Sequence, residues 1–190
     1  DEPADEAMRG HLLPASSIEI DVTGERTEVP ELVGTRQPEL LLLNDADLAY
    51  TKIRLDERSL KVAINDLARI DDSLTRALVW GAAWDMTRDA EMSATDFVHL
   101  VLANIGQETD AWGISRIPVY AAQAVNSLSS PAHRPALQEQ WQRGLRQLLE
   151  DAEPGSDQQL TFMRSYASAA VTEEAIADLE GLLDGTLTFE

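Results

Sequence analysis

The apolar positions of this chain change rhythm once, near Asp56. Before that point they alternate. Residues 17–22 place Ile18, Ile20 and Val22 between polar neighbours, the period of a half-buried strand. Gly24-Glu25 forms a turn, and residues 26–29 supply a partner strand stopped by Pro30. Residues 39–43 carry a continuous apolar run, and Asn44-Asp45-Ala46-Asp47 is turn chemistry. Residues 48–55 alternate again, with Tyr50, Lys52 and Arg54 opposite Thr51, Ile53 and Leu55. Four such strands predict a small antiparallel sheet, too small to stand alone and suited to the end of a β-sandwich.

From residue 59 the spacing becomes helical. A first helix is predicted over 59–68. In the second, Leu74, Ala77, Leu78, Gly81 and Ala82 share one side while Val79, Trp80, Ala83 and Trp84 fill the other, so it needs cover on more than one face. Ser93 and Asp96 supply the cap and first-turn charge of a third helix, striped by Phe97, Leu100, Val101 and Ile105. Thr109 or Asp110 caps a fourth, interrupted at Gly113 and Pro118; Pro118 also suits the first turn of a fresh helix over 119–128. Ser130-Pro131 opens a long helix through Leu137, Trp141, Leu145 and Leu148, closed by Glu153-Pro154-Gly155. Ser156 caps the next, striped by Leu160, Met163, Ala167 and Ala170. Thr172 caps the last, with Ile176, Leu179 and Leu183 inside and Gly185 beyond its end. The expected fold is therefore mainly α: stacked antiparallel helix pairs in a HEAT/ARM-like right-handed superhelix. Residues 57–190 form this solenoid, and residues 1–56 form the end of a β-sandwich.

Charge narrows the function. With 34 Asp and Glu against 15 Lys and Arg, the chain carries −19 and repels phosphate backbones and anionic lipid. Nucleic acid and membranes are thus poor partners, and no run approaches the roughly 20 apolar residues of a membrane span. The absence of cysteine removes disulfides and thiolate chemistry and fits a cytoplasmic setting. The first residues are neither basic nor apolar, which is unlike a signal peptide, and the missing initiator Met suggests a piece of a longer polypeptide.

Catalytic signatures are lacking. His11, His99 and His133 are the three histidines, and none has the second histidine or neighbouring glutamate of a hydrolytic zinc site. No metal ligand is expected in this chain. Gly113-Ile114-Ser115 lacks the closing glycine of a serine nucleophile elbow, and Asp71-Asp72 and Glu173-Glu174 sit where helix first turns favour negative charge. Trp80 and Trp84, one turn apart, read as core with Leu78 and Trp141. Trp112 differs: it stands beside Gly113 and is followed by Arg116 and Tyr120, the cluster best suited to face a groove. The residues alone describe a small β piece feeding a helical array without a catalytic constellation.

Several stretches resemble the aminopeptidase N family of zinc peptidases. Residues 40–44 and 50–56 (LLLLN and YTKIRLD) are similar to its sandwich strand and domain junction, with Asn44, Tyr50, Arg54 and Asp56 on the pattern. Residues 76–93 resemble a helix pair of the family, and Glu108-Thr109-Asp110 with Trp112 resembles another of its elements. The RTEVPELVG stretch at 26–34 and residues 44–59 look like actinobacterial members in particular. The resemblance implies a non-catalytic C-terminal fragment of an enzyme that removes N-terminal amino acids from peptides. Zinc and every catalytic residue would then lie in N-terminal and catalytic domains of the same polypeptide. It also implies that the helical part covers the active site and limits substrate access, with Trp112, Arg116 and Tyr120 as substrate-facing candidates. The alternative is a free-standing helical-repeat scaffold for protein–protein interaction.

Overall fold

A computed structural model describes residues 10–189. Among these, seven α-helices follow one another after Asp56, and most of their starts are written in single side chains. Helix α1 (Glu57–Asp66) begins where Asp56 accepts the amides of Arg58 and Ser59 at 2.9 and 3.0 Å. Asp72 caps α2 (Ser73–Arg88), Ser93 caps α3 (Ala94–Asn104), and Asp110 caps α4 (Ala111–Gln123). Ser156 and Thr172 do the same for α6 (Asp157–Ala169) and α7 (Glu173–Asp184), and Gly185 closes α7 at φ +79°. Between them, α5 spans Arg134–Asp151.

Helices pack on the helix after next or on their neighbour: α1 on α3, α2 on α4, α3 on α5, α4 on α6, and α5 most extensively on α6, while α7 is bonded through Asp178 to Arg146 of α5 and Tyr166 of α6. At the centre lies α3. Its Phe97, Val98, Leu100 and Val101 are fully buried, as is Ile105 just beyond it. Gly144 of α5 lies so close to the Leu102 side chain that a Cβ there would collide with it, which fixes a glycine at this crossing. Buried Asn104 stitches α3 to the end of α1, donating to the Ile64 and Leu100 carbonyls at 2.9 Å each and accepting from Ala68 N at 2.9 Å.

Helix α2 is covered on more than one face, with Val79, Trp80, Ala82, Ala83, Trp84 and Met86 all buried. The deeper side is the one carrying Val79, Trp80 and Ala83; Leu78 is only half-buried and Leu74 is exposed. Trp84 stacks on Tyr120 of α4 at 4.5 Å and tilts against Phe97 of α3 at 5.4 Å, so one side chain ties three helices together. Trp141 is buried on α5.

Other expectations are corrected. No strand forms among the described residues; the one bridge pairs Leu12 with Ile70. Ile18, Ile20 and Val22 stand exposed, because short runs gain little from pairing without a covered face to bury them. Residues 48–55 do alternate, but Ile53 and Leu55 point into the helical core rather than into a sheet. Pro118 neither ends nor starts a helix: α4 runs through it, its buried Ile117, Pro118 and Ala121 held by neighbours, and a π turn at Ala124–Leu128 absorbs the change of register. The long helix starts at Arg134, after a turn in which Ser130 O accepts from His133 and Arg134 N. In α6 the aromatic rings of Phe162 and Tyr166 take the core in place of Leu160 and Ala167, since larger side chains remove more apolar area from water. In α7, Ala175 is buried while Ile176 and Leu183 face outward.

Replacing Trp84 with Ala should lower unfolding free energy by about 3–5 kcal/mol, since it empties a site shared by three helices. Urea denaturation checks this, and a loss below about 1 kcal/mol would mean that the indole is not the tie described.

Candidate functional site

A helix that must bury both faces has little room for charge, yet Arg76 sits on the inner side of α2 and is 6% exposed. It is accommodated by Glu108, itself 3% exposed, at the corner between α3 and α4. Arg76 Nη2 donates to Glu108 Oε1 at 2.7 Å, its Nε lies 3.2 Å from both carboxylate oxygens, and its Nη1 donates to the Ile70 and Asp71 carbonyls at 2.7 and 2.8 Å. Nη2 also reaches Thr109 Oγ1 at 2.9 Å.

Glu108 is as fully engaged. Trp80 Nε1 donates to Oε2 at 2.9 Å, while the amides of Thr109 and Asp110 donate to Oε1 at 2.8 and 3.1 Å. Its backbone carbonyl accepts from Gln158 Nε2 of α6 at 2.6 Å. Burial by itself would push this carboxyl up. The hydrogen bonds from Arg76, Trp80 and the two backbone amides outweigh it and hold the carboxyl down at about 2. Gly113 lies one turn into α4, where a Cβ would come within 3.0 Å of Glu108 Cγ.

This corner aims α4. Asp110 caps the helix through the amides of Trp112 and Gly113, both at 3.0 Å. Trp112, Arg116 and Tyr120 then follow at successive turns of one face. Trp112 is 48% exposed and meets Tyr120 edge-on at 6.4 Å, while Tyr120 lies flat on Trp84 from the core side. Arg116 is exposed between them, with no carboxylate within salt-bridge distance among the described residues. The arrangement is a firm aromatic ledge carrying one cation. It can stack on or pair with a ligand, and it holds no acid, base or nucleophile positioned for bond cleavage.

The histidines do not converge. His11 Nδ1 meets Asp71 Oδ1 at 2.6 Å, His99 is exposed on α3, and His133 Nδ1 lies 3.1 Å from Ser130 Oγ. Among the described residues no three His, Cys, Asp or Glu side chains gather as a metal site would require. An apolar groove of about 560 Å³ lies at the other end of the array, among Leu149, Met163, Leu182, Leu187 and Phe189. Its polar rim is already engaged: Ser156 caps α6, and Gln159 bonds Gly155 N and the Phe189 carbonyl.

A match to the ERAP1-like C-terminal domain covers residues 40–189, most of the chain and all seven helices. The chain belongs to this family. It is also 45% identical over 181 residues to the Aminopeptidase N of Streptomyces lividans, an alignment covering 95% of this chain and 21% of that protein. The chain therefore spans about a fifth of the length of the curated relative it matches. The family match begins before the helices and takes in the extended residues whose Ile53 and Leu55 are buried among them.

The sequence singled out Trp112, Arg116 and Tyr120 as a group but did not show the ion pair beneath them. The signal was present in Arg76, a lone charge on the inner side of an otherwise apolar helix, which demands a buried partner. Nothing in the spacing of residues 76 and 108 names that partner.

Because the folded carboxyl titrates below the ordinary value of 4.5, Glu108 contributes stability that is fully present above about pH 4.5 and lost as pH falls toward 2. Glu108→Gln should cost about 3–5 kcal/mol at neutral pH, by leaving Arg76 buried without a counter-charge, and should flatten the acid limb of the stability–pH curve. Denaturation between pH 7 and 3 tests both, and an unchanged acid limb in the variant would remove Glu108 from this role.

Proposed function

We propose that this chain is a non-catalytic C-terminal part of a zinc-dependent aminopeptidase that removes N-terminal amino acids from peptides. The observation that carries the reading is the 45% identity along 95% of the chain to an Aminopeptidase N of which the alignment covers 21%. In this reading the helices form a HEAT/ARM-like right-handed solenoid that roofs an active site built by the preceding domains and limits the substrates that enter. Contacts of α1 with α3, α2 with α4, α3 with α5 and α4 with α6 support it.

Residues 1–56 then complete the end of a β-sandwich, pairing as strands only beside those of the preceding domains. The exposed Ile18, Ile20, Val22 and Leu43 support this, being apolar positions that want a covering surface. Zinc belongs to the parent enzyme, and the partners of this chain are its own N-terminal and catalytic domains and the peptide substrate. A cytoplasmic setting fits the cysteine-free composition, and no helix among the described residues is long and apolar enough to cross a membrane. Trp112, Arg116 and Tyr120 are the side chains we assign to peptide contact, because they combine exposed aromatic surface with a cation in a strongly acidic chain.

In the full-length parent enzyme, Trp112→Ala and Arg116→Ala should each raise KM for peptides of several residues by about 3- to 10-fold while leaving amino-acid arylamide turnover within about twofold. Steady-state kinetics on both substrate types decide it. Equal effects on the two, or none on either, would contradict the assignment. The isolated chain should not hydrolyse arylamides even with zinc added, and chelator-sensitive turnover would overturn the reading.

A further inference from the structure

Between the helices and everything N-terminal to them runs an extended strap, residues 51–56, held in two chemically different ways. Ile53 and Leu55 point inward and are 9% and 5% exposed. The intervening Lys52 and Arg54 point to the turn between α2 and α3. There Lys52 Nζ lies 3.0 Å from Asp89 Oδ2, Arg54 Nη2 lies 2.5 Å from the same oxygen, and Arg54 Nε lies 2.5 Å from Glu91 Oε2. Arg54 Nη1 turns back to its own strap and donates to the Ile53 carbonyl at 3.1 Å. All three guanidinium nitrogens are thus used.

The receiving turn is closed by backbone hydrogen bonds. Met86 O accepts the amides of both Glu91 and Met92, at 2.8 and 3.1 Å, and Asp89 N donates to Asp85 O at 2.9 Å. Ala90 stands between the two carboxylates at φ +62°, a conformation that residues with a Cβ rarely adopt. The turn therefore presents Asp89 and Glu91 as a fixed pair rather than as two free side chains. Lys52 first, and then Arg54, hold the Asp89 carboxyl below its ordinary range.

On the other side of the strap the backbone is strained. Residues 43–50 form a loop in which Asn44, Ala46 and Asp47 all have positive φ, at 56°, 64° and 54°. Asn44 closes it by accepting Ala49 N and donating to Ala49 O, each at 2.8 Å. One leg is docked through Leu40, Leu42 and the Leu41 N–Ser59 Oγ bond at 2.8 Å; the other leg is the strap. Leu48 and Tyr50 stand fully outside.

We propose that Lys52, Arg54, Asp89 and Glu91 form an ionic latch that holds this strained loop, whose Asp45–Asp47 turn packs on α2, in its observed conformation and releases it when the charges are screened. The two apolar pins keep the strap attached to the helices. The ion pairs, lying at the surface, hold its outer edge and give way to salt. Opening the latch lets residues 43–50 relax without unfolding the array, so the loop has two states selected by ionic strength or by a competing charge. The inference does not depend on the peptidase reading.

The chain contains no cysteine, so two introduced ones take spin labels without ambiguity. Labels at Tyr50→Cys on the loop and Glu139→Cys on exposed α5 report the distance between loop and array by pulsed electron resonance. A narrow distribution is expected at about 0.01 M salt, broadening about twofold at about 1 M. Arg54→Glu should give the broad distribution even at low salt with the helical circular dichroism unchanged, and Arg54→Glu with Glu91→Arg should narrow it again. Lys61→Met, which breaks the exposed Lys61–Glu57 pair on α1, should leave the width as it was. If the distribution stays narrow both in Arg54→Glu and in high salt, the apolar pins alone hold the strap and the latch does not exist. Should Arg54→Glu fail to fold, the salt series on the labelled chain decides by itself.

Discussion

The ion pair between Arg76 and Glu108 is the constraint on which the rest of this structure depends. It joins the start of α2, the corner between α3 and α4, and, through Gln158, the start of α6. Two buried charges are unfavourable unless nearly every donor and acceptor finds a partner. Here the guanidinium reaches a carboxylate, two carbonyls and a hydroxyl, while the carboxylate collects an indole N–H and two amides. Such a network tolerates only one geometry. That is why the direction of α4, and hence the ledge of Trp112, Arg116 and Tyr120, is fixed from below rather than by the loops at the surface.

A second organising element is Trp84. Its ring carries Tyr120 on one side and touches Phe97 on the other, so the ledge and the central helix share a single aromatic stack. The α4 face is therefore exposed at its outer edge and rigid at its base. The glycine beside exposed Trp112 lets α4 pack closely on Glu108, where a Cβ would come within 3.0 Å of its Cγ.

The helical half of the chain was legible because its signals are local. Ser93, Asp110, Ser156 and Thr172 each satisfy free amides of the helix they begin, and such caps depend on two or three residues only. The N-terminal part misled for the complementary reason. Alternation at 17–22 and 48–55 states which side chains want cover, not what supplies it; in the second stretch the cover is a helical core, with Ile53 and Leu55 inserted there. Pro118 misled because proline ends helices by removing a hydrogen bond, and that loss is outweighed where Ile117 and Ala121 are fully buried beside it. In the ledge, residue types were readable from Trp112 onward. The ion pair that aims them was not, since a contact across 32 residues leaves no periodicity.

The family match is to a C-terminal domain, and the Streptomyces relative is several times longer than this chain, whose helices present a face with one cation and one open aromatic on an otherwise strongly negative chain. The claim beneath all of it is that Arg76 and Glu108 act as a unit. A double-mutant cycle with Arg76→Met and Glu108→Gln, read as unfolding free energy at neutral pH, measures that directly. The account predicts a coupling of about 2–4 kcal/mol, the double variant being much less damaged than the sum of the singles. Additive losses would contradict it.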